Sequence, residues 1–145
     1  MEQVKIVMAE GCHDLVPHKA HHDDAGFDLY SREDMIVAPG KRALIKTGLF
    51  IELPYGYEAQ VRPRSGLAIK HGITVVNAPG TVDAGYRGEV GVILLNTDTE
   101  EAFHITRGER IAQMVIQTLP EVELKVADAL TETKRGEGGF GSTKR

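Results

Sequence analysis

The stretch Asn77-Ala78-Pro79-Gly80-Thr81-Val82-Asp83-Ala84-Gly85-Tyr86-Arg87-Gly88-Glu89 lies between two apolar runs, Ile73-Thr74-Val75-Val76 and Val90-Gly91-Val92-Ile93-Leu94-Leu95. The runs are short and rich in β-branched residues, so they read as buried strands, and the insert rich in small residues reads as the tip of the hairpin they form. One carboxylate, Asp83, and one aromatic, Tyr86, stand at that tip among small neighbours. A strand pair is a rigid mount for a loop that must meet a ligand. The plainer alternative is a β-turn in which Asp83 accepts backbone hydrogen bonds and Tyr86 fills a gap between strands.

Outward from this segment the same punctuation recurs at Ala38-Pro39-Gly40 and Pro54-Tyr55-Gly56, between further β-branched runs. Such spacing predicts an all-β sandwich or barrel. Strands are expected at Val4–Met8, around Leu29-Tyr30, at Met35–Ala38, along Lys41–Leu53 as two strands or one bent one, and at Glu58–Val61. Ala102–Thr106, Arg110–Thr118 and Val122–Val126 complete the set. One short helix is expected over Leu67–Gly72, with Ser65 as N-cap and Gly72 as the stop. A chain of 145 residues fits a single domain that buries roughly 68–70% of its unfolded surface. Residues 1–130 carry that domain; residues 131–145 are polar and glycine-rich with one aromatic, Phe140, and are expected to form a flexible arm.

A net charge of −4 argues against general nucleic-acid affinity, which rests on clustered cations. The single cysteine, Cys12, excludes an intramolecular disulfide and a multi-cysteine zinc site and suits a reducing compartment. With no 18-residue apolar stretch and no charged-then-apolar leader, a cytoplasmic protein that does not enter a membrane is expected. His18, His21, His22 and Asp24 could ligate zinc by residue type, but their spacing matches no finger or helical pattern, and a solvated loop is the favoured reading.

Five segments, Ala25-Gly26-Phe27-Asp28-Leu29-Tyr30, Arg62-Pro63-Arg64-Ser65-Gly66-Leu67-Ala68, the hairpin above, Gly108-Glu109-Arg110-Ile111-Ala112-Gln113, and Arg135-Gly136-Glu137-Gly138-Gly139-Phe140-Gly141-Ser142, resemble in order and spacing the five motifs of the trimeric deoxyuridine triphosphatases (dUTPases). The resemblance implies an all-β, jelly-roll-like subunit and a homotrimer whose active sites draw on all three chains. It also implies hydrolysis of dUTP to dUMP and pyrophosphate, which limits uracil in DNA and supplies dUMP for dTMP synthesis.

Pyrophosphate release needs an in-line water, a base for it, and positive charge on the phosphates. By the resemblance Asp83 is that base, and Arg64, Ser65, Gly66 and Gln113 bind phosphate oxygens. Asn77 with the backbone of Thr81, Val82 and Gly91 frames the uracil, and Tyr86 packs under the deoxyribose and bars a ribose 2′-hydroxyl. Arg135, Phe140, Gly141 and Ser142 close over the nucleotide. Mg²⁺ is expected on the triphosphate, with Asp28 reaching it through water. Arg110 reads as structural, tying strand ends together. The departures from the common pattern are Gly85, where many relatives are acidic, and Gly91, where a longer side chain often stands. The competing activities are a dCTP deaminase, alone or combined with diphosphate release, and a non-catalytic nucleotide-sensing module.

Overall fold

The computed structural model describes residues 1–144. In chain order it forms β1 (Lys5–Met8), β2 (Phe27–Tyr30), β3 (Met35–Val37), β4 (Arg42–Lys46), β5 (Leu49–Glu52), β6 (Tyr57–Arg62), α1 (Ser65–His71), β7 (Ile73–Val75), β8 (Gly80–Val82), β9 (Gly91–Asn96), β10 (Phe103–Ile105) and β11 (Arg110–Thr118), with a 3₁₀ turn at His13–Leu15. The fold is therefore all-β with one short helix, as the composition predicts. Lys41–Leu53 resolves into two strands, β4 and β5, broken at Thr47-Gly48, where Gly48 takes a φ of 73°.

All pairing is antiparallel. The largest sheet runs β2-β11-β6-β8, a second runs β4-β9-β7, and β1-β5 and β10-β3 form two-stranded ribbons. Alternation explains the layering: β9 buries Val92, Leu94 and Asn96 and turns Gly91, Ile93 and Leu95 to its other face, as a period of two requires. Leu29, Ile45, Leu49, Leu94 and Ile111 are among the fully buried side chains of the single core. Asn96 enters that core because its carboxamide is satisfied: Nδ2 donates to the carbonyls of Val37 and Glu101 at 3.0 and 2.9 Å, and Oδ1 accepts from Asp98 N–H.

Three expectations need correction. The helix begins at Ser65, with Arg64 as its extended N-cap and no side-chain cap; Ser65 is itself the first helical residue, so its hydroxyl does not cap the turn. Gly72 does end it, in the left-handed region at φ 66°, donating to the carbonyls of Ala68 and Leu67. Second, β7 and β9 pair as expected, Val75 opposite Leu94, but the insert between them is more than a tip: β8 peels off to pair with β6 in the other sheet. Third, Val122–Val126 forms no strand. Val122, Leu124 and Val126 are 77, 95 and 99% exposed, since an apolar alternation without a neighbouring strand has nothing to bond to. Among the described residues no helix is long and apolar enough to cross a membrane.

Arg107 fastens the N-terminal segment to the turn before β11. Its guanidinium donates to both carboxylate oxygens of Asp14 at 2.8 and 2.9 Å and to the Gly11 carbonyl at 2.7 Å. The Arg107 hydrogen bonds hold the Asp14 carboxyl down at about 2 against an ordinary 3.8. A lowered folded-state value means the stabilisation is complete above the unfolded value and is lost as pH falls through the folded one. Asp14→Asn is thus expected to melt below the parent at neutral pH and to converge with it towards about pH 2, as thermal melts across that range will read.

Candidate active site

Asp28 on β2 lies opposite Gln113 on β11, and Gln113 lies opposite Arg62 on β6. The segment that follows β6 then carries Arg64, Ser65 and Gly66 across the same sheet end. These groups line a cleft of about 300 Å³. Asp28, with 15% of its side chain exposed, faces two guanidinium groups: Arg64 Nε at 3.9 Å and Arg110 Nη1 at 3.8 Å. Arg64 also reaches the Arg110 carbonyl at 3.4 Å. Gln113 Nε2 donates to the Pro63 carbonyl at 2.9 Å, which ties its carboxamide to the segment that starts α1. Ser65 and Gly66 stand in the first turn of α1, where N–H groups have no intrahelical partner.

Two residues that line this cleft were not among the candidate site residues, Arg110 because it reads as structural, which its pairing with the Asp28 carboxylate agrees with. A register shift between Arg110 and Ala112 is a β-bulge, and it puts Ile111 and Ala112 into the core side by side. Strict alternation sends positions 110 and 113 to opposite faces; the bulge brings both to the face that carries Asp28. Arg110 therefore belongs to the cleft. Gly26 is the other. A Cβ there would stand 2.6 Å from Gln113 Oε1, so only glycine leaves room for the carboxamide as it is placed. The signal available in the sequence was the place of this glycine in the first motif, two residues before Asp28.

The histidine-rich loop has a structural occupation. His18 stacks on Tyr30 and its Nδ1 lies 2.6 Å from the Tyr30 hydroxyl. Burial, and next the Asp28 charge, push the Tyr30 phenol up. Among the described residues no group of His, Cys, Asp or Glu is arranged to hold a metal ion.

Asp83 and Tyr86 occupy the loop between β8 and β9. Tyr86 N–H donates to the Asp83 carbonyl at 3.1 Å, and Arg87 braces the turn by donating to the Ala84 carbonyl at 2.7 Å. The Asp83 side chain is exposed, and among the described residues its carboxylate has no hydrogen-bond or ion-pair partner. It is not consumed in holding a turn. Tyr86 is 46% exposed and fills no gap between strands; its hydroxyl donates to the Glu89 carbonyl at 2.9 Å. Asn77 lies across Gly80, its Nδ2 3.2 Å from where a Cβ would stand, while Gly91 is covered by Leu44 of β4.

These two groups do not meet within one chain. Val82 pairs with Ala59 and Gly80 with Val61, so Asp83 is level with Glu58, six residues before Arg64, or roughly 20 Å at about 3.3 Å per residue. The third group is farther removed in sequence. Arg135 Nε closes on the Gly138 carbonyl at 2.7 Å, Ser142 N–H bonds the Gly139 carbonyl at 3.0 Å, and Phe140 is fully exposed with a φ of 49°.

The chain is thus an all-β protein that gathers guanidinium, carboxamide and carboxylate groups in one cleft and mounts an exposed carboxylate and a tyrosine on a separate loop. Residues 14–144 match the dUTPase family profile. The chain belongs to the dUTPase family. It is 57% identical over 128 residues to the deoxyuridine 5′-triphosphate nucleotidohydrolase of Clostridium tetani, covering 88% of each chain. Identity to the protein of that name from Thermobifida fusca is also 57% over 128 residues, covering 88% of this chain and 72% of the other. Among solved structures, the dUTPase of Staphylococcus bacteriophage 80alpha with dUPNHPP superposes with a TM-score of 0.88 at 28% identity, covering 98% of each chain.

Proposed function

We propose that the chain hydrolyses dUTP to dUMP and pyrophosphate, with Asp83 as the base for a water that attacks the α-phosphorus. The observation that carries this reading is the unpartnered, exposed Asp83 carboxylate on a loop braced by its own backbone, in a chain 57% identical to proteins named for dUTP hydrolysis. Asp83 takes the proton of the attacking water, and the diphosphate leaves with its negative charge met by the planar donor fork of Arg64 and the Ser65 hydroxyl. Gln113 supplies a carboxamide to the phosphates or the water. Asn77, with the backbone of Thr81, Val82 and Gly91, pairs with uracil and leaves no room for a 5-methyl group. Tyr86 packs under the deoxyribose and excludes a 2′-hydroxyl. Arg135, Phe140, Gly141 and Ser142 bring a closing arm over base and phosphates.

The spacing along β6 supports a shared site. A base roughly 20 Å from the phosphate ligands of its own chain can act on a nucleotide bound there only if another copy supplies it, which a threefold ring of identical interfaces accomplishes. The exposed apolar residues Val122, Leu124 and Val126 suit a segment that continues onto a neighbouring copy. Mixing Asp83→Asn subunits with Arg64→Ala subunits tests this. Each homotrimer is inactive, but every mixed ring has one site with both groups intact, so random mixing is expected to restore about a quarter of parental activity. No recovery on mixing would mean that each chain builds its site alone.

Mg²⁺ fits the cleft as an ion carried by the triphosphate. Asp28 is a hard oxygen donor facing the phosphate ligands, and a cation that keeps most of its waters needs little more from the protein. A bound ion would neutralise phosphate charge, and Asp28, kept aimed by Arg110 and Arg64, would hold one of its waters. A buried, unpaired Cys12 agrees with a cytoplasmic setting. Pyrophosphate release from dUTP, dTTP, dCTP and UTP, with and without Mg²⁺, tests the whole reading: activity on dUTP alone is expected, ammonia from dCTP would mark a deaminase, and binding without turnover a sensing module.

A further inference from the structure

Gly88 has no backbone reason to be glycine. Its φ is not among the positive values that mark eight other glycines of the chain, so it does not sit in the left-handed region that favours glycine. What forbids a side chain is Tyr86. A Cβ on Gly88 would stand 2.9 Å from Tyr86 Cε1, 2.6 Å from Cζ, and closer still to the hydroxyl oxygen. Two ring carbons and the hydroxyl oxygen of one rigid phenol lie within that space, so the side chain cannot yield by a small torsion of its end; it must swing as a unit and surrender its hydrogen bond to the Glu89 carbonyl.

That carbonyl is itself fixed. The Glu89 carboxylate accepts from Gly48 N–H at 2.8 Å and from Arg32 Nη1 at 3.2 Å, Val90 N–H donates to the Leu49 carbonyl at 2.8 Å, and the buried Thr47 hydroxyl donates to the Val90 carbonyl. The bend between β4 and β5 thus clamps Glu89-Val90, and the clamped backbone presents both the acceptor and the bare Gly88 surface on which the tyrosine lies. Ring position is over-determined from below, although its other face is open.

We propose that Gly88 is a specificity-positioning residue: the missing side chain seats the Tyr86 ring at the height at which it admits a 2′-deoxyribose and rejects a ribose. This rests on the assignment of Tyr86 to the sugar. A seated ring discriminates by sterics, and steric discrimination of one small group is typically 10- to 200-fold, so a ring lifted by a methyl group loses a sizeable part of it.

The test is a double-mutant cycle on kcat/KM for dUTP and for UTP in Gly88→Ala, Tyr86→Ala and the combined variant, with melting temperatures recorded alongside. Gly88→Ala is expected to lower the dUTP-to-UTP preference by roughly tenfold or more, with the dUTP kcat changed far less than KM. In the Tyr86→Ala background the same methyl group should change the preference no further, because no ring remains to be displaced. A Gly88→Ala enzyme with parental preference overturns the proposal, as does an equal loss with and without Tyr86, which would make the methyl group a general disturbance of the loop. A Tyr86→Ala enzyme that still rejects UTP would instead refute the assignment of Tyr86 to the sugar.

Discussion

Asp83→Asn is expected to lower turnover on dUTP by roughly 10²- to 10⁴-fold, the usual worth of a positioned general base, while the affinity for a non-hydrolysable dUTP analogue stays close to parental. The argument for a clean split is structural. The substitution is isosteric, and the carboxylate has no hydrogen-bond partner among the described residues, so neither the Tyr86-to-Asp83 backbone bond nor the pairing of β8 with β6 depends on it. Loop and sheet should survive unchanged, and the loss should fall on kcat. A carboxamide cannot accept the proton of the attacking water, whereas Arg64, Ser65 and Gln113, the proposed phosphate ligands, remain. Single-turnover pyrophosphate release and calorimetric titration separate the two effects. Parental kcat in the variant would remove Asp83 from the chemistry. An equal loss of kcat and of analogue affinity would make it a binding group rather than a base.

The strand scaffold was legible because apolar runs punctuated by glycine and proline have few other solutions, and β11 came out at its observed bounds of Arg110–Thr118. Legibility failed wherever a residue's position depends on a partner far away in sequence. Arg110 reads as a structural guanidinium, and it does face the Asp28 carboxylate, but its place in the cleft depends on a bulge that arises from pairing with β2. Gly26 was visible only as part of a motif, because the carboxamide it makes room for lies on another strand. The insert after Val75 looked like a hairpin tip because nothing local announces that Gly80–Val82 will join the sheet of β6. Val122–Val126 erred in the opposite direction: its alternation is real, but a strand is a property of two segments, and one chain offers it no second. The candidate residues stand out by motif, whereas their division into separate groups along β6 appears only once the register is known.

A chain ending at Thr133 is expected to keep its fold and the proposed threefold assembly and to lose most of its activity on dUTP. None of the described residues beyond Thr118 belongs to a strand or helix, and the buried core ends within β11, so the deletion removes no packing from the domain. It removes Phe140, Arg135 and the glycine amides. Stacking of an aromatic on a base contributes about 1–3 kcal/mol, and a hydrogen bond to a charged phosphate about 1.5–3 kcal/mol. Ordering the arm offsets part of this gain, which leaves a loss in kcat/KM on the order of 10²-fold or more. Part of that loss should appear in kcat, because a closed arm excludes bulk water from the reacting centre and fixes the triphosphate in line. The single variants apportion the effect: Phe140→Ala should weaken dUTP and dUMP alike, since both carry the base, whereas Arg135→Ala should weaken dUTP and spare dUMP, which lacks the terminal phosphate. Size-exclusion chromatography with light scattering confirms that assembly is intact, and stopped-flow pyrophosphate release measures the loss. A truncated trimer with parental kcat would show that the open cleft is catalytically complete without an arm.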